Sequence, residues 1–196
     1  MWGRELLGTD VYHVINWFFV YSILGWLIES TYMSICNKKI TNRGFIRGPI
    51  CPIYGVGALT VYFLLKPVSG NYILLYFYGA TLATTIEYFT AKLMIRVFGE
   101  VWWDYNDKPF NYKGILCLES TLAWGFYTIF MFAFLQRLVV SIVERYSFET
   151  GIRIGTVMIG YFILDFTISL VDAKIESVPR SVYELHETIR AAIYKN

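Results

Sequence analysis

Five carboxylates stand inside or at the ends of long apolar stretches: Glu29, Glu87, Glu119, Asp165 and Asp172. A charge near the centre of a membrane-spanning helix costs at least about 2.5–3.5 kcal/mol, so each acid is expected to face the bundle interior or water and to find a partner. Glu29 and Glu87 occupy similar frames, Leu24-Gly25-Trp26-Leu27-Ile28-Glu29 and Leu82-Ala83-Thr84-Thr85-Ile86-Glu87. Small residues precede each acid by four and seven positions, Gly25 and Ser22 in one case, Ala83 and Ala80 in the other. Those offsets share one helix face, and small-residue faces are where membrane helices pack closely. Further along, Asp165, Ser169, Asp172 and Glu176 recur at spacings of four, three and four and form one polar stripe. Arg43 and Arg47 stand in one loop, Lys108 and Lys113 in another.

This set predicts a polar pocket with an acidic floor and a basic mouth. Such a pocket suits a cation, a proton or a cationic solute. It also suits acid–base chemistry on a lipid or lipid-linked substrate whose phosphate the arginines would hold. A structural alternative stays open beside both. The acids can pair with Arg43 or Arg47 to fix helix packing, Glu119 can be held by the dipole of its own helix N-terminus, and Asp172 can mark the membrane edge.

Several familiar chemistries have no residues to carry them. The two histidines, His13 and His186, lie at opposite ends of the chain, so neither a His-based zinc site nor a Ser-His-Asp triad is expected. No Gly-x-x-x-x-Gly-Lys-Ser/Thr motif occurs, so nucleotide hydrolysis through a P-loop is not expected of this chain. The expectation is no cofactor and no metal, with enzymatic activity the weaker reading. Cys51 and Cys117 each close a Gly-x-x-Cys, Gly48 to Cys51 and Gly114 to Cys117, and read as small buried thiols.

The elements that must position these groups are membrane helices. Of 196 residues 56% are apolar and 16% charged, against roughly 25% charged in soluble domains; mean hydropathy is +0.47. Aromatic residues make up 19%, which points to rings at lipid–water boundaries. A net charge of +2 and three Cys argue against nucleic-acid binding, disorder and a disulfide scaffold. About 20 apolar residues cross a bilayer, and five stretches are read as spans: Val11 to Cys36, Ile53 to Val68, Tyr72 to Phe98, Ile115 to Val139 and Ile152 to Ala173. The first is too long for a cleavable signal peptide. The fold expected is an all-α polytopic membrane domain over residues 1–175, followed by an amphipathic cytoplasmic tail, 176–196.

Basic residues set the orientation. Arg4, Lys66, Arg137, Arg145 and Arg153 fall on one side, and the other twelve Lys and Arg on the opposite side. The first and third loops and the C-terminus are therefore expected in the cytoplasm and the N-terminus outside, in a bacterial-type plasma membrane. At 1.5 Å per residue Glu29 lies about 10 Å from the cytoplasmic end of its helix, Glu87 and Asp165 about 13–16 Å, and Glu119 about 6 Å. The recurring acid and Gly-x-x-Cys frames predict a tandem two-helix repeat, about 11–68 and 72–139. Its copies share one orientation and are related by an axis along the membrane normal. Two prolines and several glycines between Asn42 and Gly57 predict a first loop folded back against the bundle. The third loop mixes Trp102 and Trp103 with Asp104, Asp107 and Asn111; the rings suit an interfacial belt, and the polar residues are candidates for binding headgroups or a partner.

Taken together, Leu24 to Glu29, Asn42-Arg43-Gly44-Phe45, Gly48-Pro49-Ile50-Cys51-Pro52-Ile53-Tyr54-Gly55, Trp102-Trp103-Asp104-Tyr105, Lys108-Pro109-Phe110-Asn111 and Gly114-Ile115-Leu116-Cys117-Leu118 resemble the bacterial CmpB-like family labelled type IV ABC-transporter permease. The resemblance covers roughly residues 12 to 140. It implies a membrane subunit served by a separate ATPase and carries over no catalytic or substrate-binding roles. The readings are thus a permease-like transport protein, a membrane enzyme acting on lipid, or an accessory membrane subunit. Expected partners are the lipid bilayer, a separate ATPase or other membrane subunit, and a second copy in a homo-oligomer, with no nucleic acid.

Overall fold

The computed structural model describes residues 2–99 and 101–176. The amphipathic tail expected from residue 177 onward lies outside the described residues. A two-residue hairpin opens the chain, β1 (Glu5–Leu6) antiparallel to β2 (Thr9–Asp10). Its turn places Leu7 and Gly8 at positive φ, the twist that tight hairpins need. Asp10 then caps the first helix by accepting from the His13 backbone N–H at 2.8 Å.

Five helices follow among the described residues. They are α1 (Val11–Asn37), α2 (Pro52–Leu65), α3 (Tyr72–Phe98), α4 (Leu118–Val143) and α5 (Phe148–Glu176). Pro52 opens α2 where its missing N–H is harmless. A 3₁₀ turn, Lys66–Val68, extends α2 toward Asn71, whose side chain caps α3 by accepting from Ile73 and Leu74 N–H. Gly99 ends α3 at φ 84°, the left-handed conformation glycine adopts freely. Inside α4 a π-helical segment, Met131–Leu135, separates two α-helical stretches.

The helix limits differ from the sequence expectation at α4 and at α5, which runs from Phe148 to Glu176 rather than from Ile152 to Ala173; at α4 the reason is local. Helix α4 starts at Leu118 rather than Ile115, because Ile115 and Leu116 belong to the folded third loop and Cys117 caps the helix. Three helices are long and apolar enough to cross a membrane: α1, α4 and Phe148–Ala173 of α5. Helix α2 is shorter, and α3 carries Glu87, Lys92 and Arg96 within its length. Large apolar side chains such as Phe77, Phe89, Phe126, Phe134, Ile163 and Leu164 stay exposed on the outside of the bundle. Such a surface suits lipid rather than water.

Helix α1 packs chiefly on α2, and α3 on α4, with α1 also touching α5 and the end of α4. The small-residue faces lie at these seams. Gly25 abuts the Tyr54 ring and Gly55 abuts Ser22 and Phe18, so a methyl group at either glycine would collide. Ser22 is fully buried and Ala80 nearly so. The main apolar core joins Tyr12, Trp17, Tyr21, Val61, Leu75 and Val139 with their neighbours. A second cluster seats Ile46 and Ile50 of the first loop against Phe19.

Candidate functional site

Glu87 is the best-enclosed acid of the α3–α4 hairpin, 8% exposed. Tyr105 Oη donates to its Oε1 and Trp124 Nε1 to its Oε2, each at 3.1 Å, with the Ser120 hydroxyl also within reach. Each partner is neutral. Trp124 and Ser120 lie on α4, whereas Tyr105 reaches the acid from the third loop, so the fold of that loop decides the site.

The third loop is held by its own polar residues. Asp104 accepts from the Asn106 N–H at 2.8 Å. Asn111 donates to the carbonyls of Asn106 and Lys108 at 3.1 and 2.9 Å and accepts from the Gly114 N–H at 3.2 Å. Tyr105 N–H donates to the Gly114 carbonyl at 2.9 Å, and Trp103 Nε1 to the Ile115 carbonyl at the same distance. Asp104 and Asn111 thus shape the turn that carries Tyr105 to Glu87, while Asp107 stays exposed. Burial and the neighbouring Glu87 carboxylate push the Tyr105 phenol above its ordinary range, so it remains a protonated donor.

Glu29 sits half-buried on α1 beside the Tyr54 hydroxyl, and Tyr54 in turn lies near Tyr105. Glu29, Tyr54, Tyr105 and Glu87 thus follow one another across the junction of the two hairpins, with the Tyr105–Glu87 step a hydrogen bond and the other two steps proximities. Arg43 and Cys51 flank its Glu29 end. Burial, then the Glu29 charge, pushes the Cys51 thiol up to about 12, with Arg43 opposing. Cys51 and Cys117 are both buried free thiols.

Asp165 does something different. Its Oδ2 accepts from the Gly48 N–H at 2.7 Å and its Oδ1 from the Arg47 N–H at 3.3 Å. The first loop is thereby pinned to α5, and Gly48 lies so close to Asp165 and Tyr161 that a Cβ there would overlap both. Arg47 reaches along α5 to Asp172, Nη2 to Oδ2 at 2.5 Å, in an exposed pair. Asn42 completes the loop, accepting from Trp26 Nε1 at 2.6 Å and donating to the Arg47 carbonyl at 2.8 Å. Phe45 stacks on Trp102 with centroids 5.0 Å apart, which ties the first loop to the third.

The residues singled out in the sequence therefore fall into separate groups. Glu29 lies beside Tyr54 and Glu87 beside Tyr105, with Arg43 near Cys51. Asp165, Asp172 and Arg47 form the loop clamp. Glu119, in the first turn of α4, is exposed and pairs with Lys108 at 2.8 Å. A groove of about 480 Å³ beside the last turns of α1 is lined by Trp26, Leu27, Ser30, Ile35 and Lys39 among others, and by none of these acids. Tyr54, Tyr105, Ser120 and Trp124 escaped the sequence reading because rings read first as packing or belt. One signal was present: Tyr54 and Ser120 each stand three residues after the repeated cysteine.

Five packed helices with lipid-type outer faces and carboxylates held inside define a helical membrane protein. Residues 16–170 match the family described as "Putative ABC-transporter type IV"; the chain belongs to this family and is a transport-related membrane protein. No curated protein matches it, and no solved structure does.

Proposed function

We propose that the chain is a permease-like membrane subunit in which Glu29 and Glu87 form a paired binding site for a cation, a proton or a cationic solute. The observation that carries this reading is the line Glu29–Tyr54–Tyr105–Glu87. Two acids on different hairpins lie at the ends of a run of neutral phenols, and neither carboxylate forms a salt bridge among the described residues. An acid already paired with Lys or Arg has its charge balanced; an acid satisfied by hydroxyl and indole donors retains an attraction for a mobile cation or proton.

In this reading all five helices cross the bilayer, α3 with its polar face toward protein and α2 with its 3₁₀ extension. The two hairpins are tandem repeats (11–68 and 72–139), with the N-terminus outside and the loops bearing Arg43 and Tyr105 in the cytoplasm. Energy comes from a separate ATPase subunit, and the third-loop surface around Asp107 is available to it. The family membership supports the partner class.

The test is flux in cells expressing the wild type or the Glu29→Gln/Glu87→Gln double variant at equal membrane levels. The probes are sodium, potassium, methylammonium and protons. We expect at least one probe to move at a rate that depends on the chain and falls about tenfold or more in the variant. Identical movement of every probe with and without both acids overturns the reading.

A further inference from the structure

Away from Glu29 and Glu87, two buried polar groups lack a partner among the described residues. Trp17 Nε1 on α1 and Gln136 Nε2 on α4 are fully covered and unbonded, in residues only 6% and 7% exposed. Tyr21 donates to Gln136 Oε1 at 2.5 Å; whichever way the amide is turned, only one of its two ends meets Tyr21. Tyr62 of α2 joins the groups. Its ring centroid lies 5.7 Å from that of Trp17, and it packs against the core that holds both Trp17 and Tyr21. Trp17, Tyr21, Tyr62 and Gln136 therefore surround one locus where α1, α2 and α4 meet.

The backbone supports this placement. Gln136 directly follows the π-helical segment Met131–Leu135. Each residue of an α-helix advances about 100°, so the wider π turn rotates Gln136 relative to an unbroken helix and delivers it to the core. π segments of this kind recur at functional sites. A buried donor left unmatched costs about 1–3 kcal/mol, and lipid offers no replacement acceptor.

We propose that this locus binds a small uncharged hydrogen-bond acceptor, a water molecule or the carbonyl or hydroxyl oxygen of a solute, between Trp17 Nε1 and the free end of the Gln136 amide. Lys66 Nζ lies over the Tyr62 ring at 5.9 Å from its centroid. Among the described residues no charged side chain hydrogen-bonds to any of the four, so the two open groups suit a neutral ligand. Trp17 precedes Glu29 by twelve residues, about 18 Å along the helix, so the locus is a second polar station on the same helix. Its place on a transport path rests on the reading above; its occupancy does not.

The test is NMR of the full chain in lipid nanodiscs with ¹⁵N-labelled tryptophan. Six indole signals are expected from the six Trp, and Trp17→Phe identifies one; Tyr62→Phe, which perturbs the same signal, assigns it independently if Trp17→Phe folds poorly. A water-exchange cross-peak at the Trp17 indole, weakened in Gln136→Met, supports the site with water as ligand. A Trp17 indole shifted by Gln136→Met and showing no water peak, with a signal that responds to added urea as a carbonyl probe, supports a solute ligand. A Trp17 indole without a water peak, unmoved by urea and by Gln136→Met, overturns the proposal. Loss of cation flux with an intact water peak would leave this site standing; the reverse pairing would leave only the acid site.

Discussion

Glu87 and Asp165 are buried to the same degree, 8% and 7% exposed, yet their partners are of opposite kinds. Asp165 accepts two backbone N–H groups from the first loop, groups that can only donate and cannot turn away. Glu87 accepts from a phenol and an indole, and the phenol can rotate to donate or accept. An acid bound to main chain is committed to holding a loop. An acid bound to a hydroxyl can change its protonation or its ligand while the surrounding fold persists. On the proposed function, the difference separates a structural carboxylate from a chemical one where burial alone would rank them together.

Isosteric amides break the comparison most directly. Asp165→Asn turns an amide NH₂ toward fixed N–H donors, and we expect a loss of about 2–3 kcal/mol in unfolding measured in detergent. Glu87→Gln lets Trp124 keep donating to the amide oxygen while Tyr105 rotates to accept, with a loss nearer about 1 kcal/mol. Equal losses at the two sites would erase the distinction. Arg47→Ala, which cuts only the exposed bond to Asp172, should cost about 0–1 kcal/mol and less at high salt. Lys108→Ala should leave the unfolding midpoint unchanged, since its pair with Glu119 is solvated.

A further small effect is expected in alkaline solution. Unfolded tyrosines ionise near pH 10, whereas Tyr105 in the folded chain keeps its proton to higher pH because of its burial and Glu87. The stability Tyr105 contributes is therefore fully present below about pH 10 and is lost as pH rises beyond it. In Tyr105→Phe the alkaline decline should be shallower than in the wild type, read from unfolding midpoints between pH 8 and pH 11. An identical slope would place Tyr105 outside the site.

Much of the helical frame was legible because long apolar runs and caps are local signals. Asn71 and Gly99 bound α3 where the apolar stretch itself begins and ends. The start of α4 was misplaced because Ile115 is apolar yet buried in a loop, and hydropathy does not distinguish those fates. Glu29, Glu87 and Asp165 stood out by charge, but their division into separate groups depended on loop contacts more than a hundred residues apart in sequence, such as Gly48 to Asp165. The π-helical segment in α4 has no sequence signature that periodicity would reveal, so Gln136 gave no hint of its burial.

The central claim is that Glu29 and Glu87 belong to one site linked through Tyr54 and Tyr105. A double-mutant cycle of Tyr54→Phe and Tyr105→Phe, measured by unfolding in detergent, tests it directly. Groups sharing a polar network couple by about 0.5–3 kcal/mol, whereas independent groups add to within about 0.3–0.5 kcal/mol. Our account predicts a coupling of at least about 0.5 kcal/mol; additive losses from the two substitutions would contradict it.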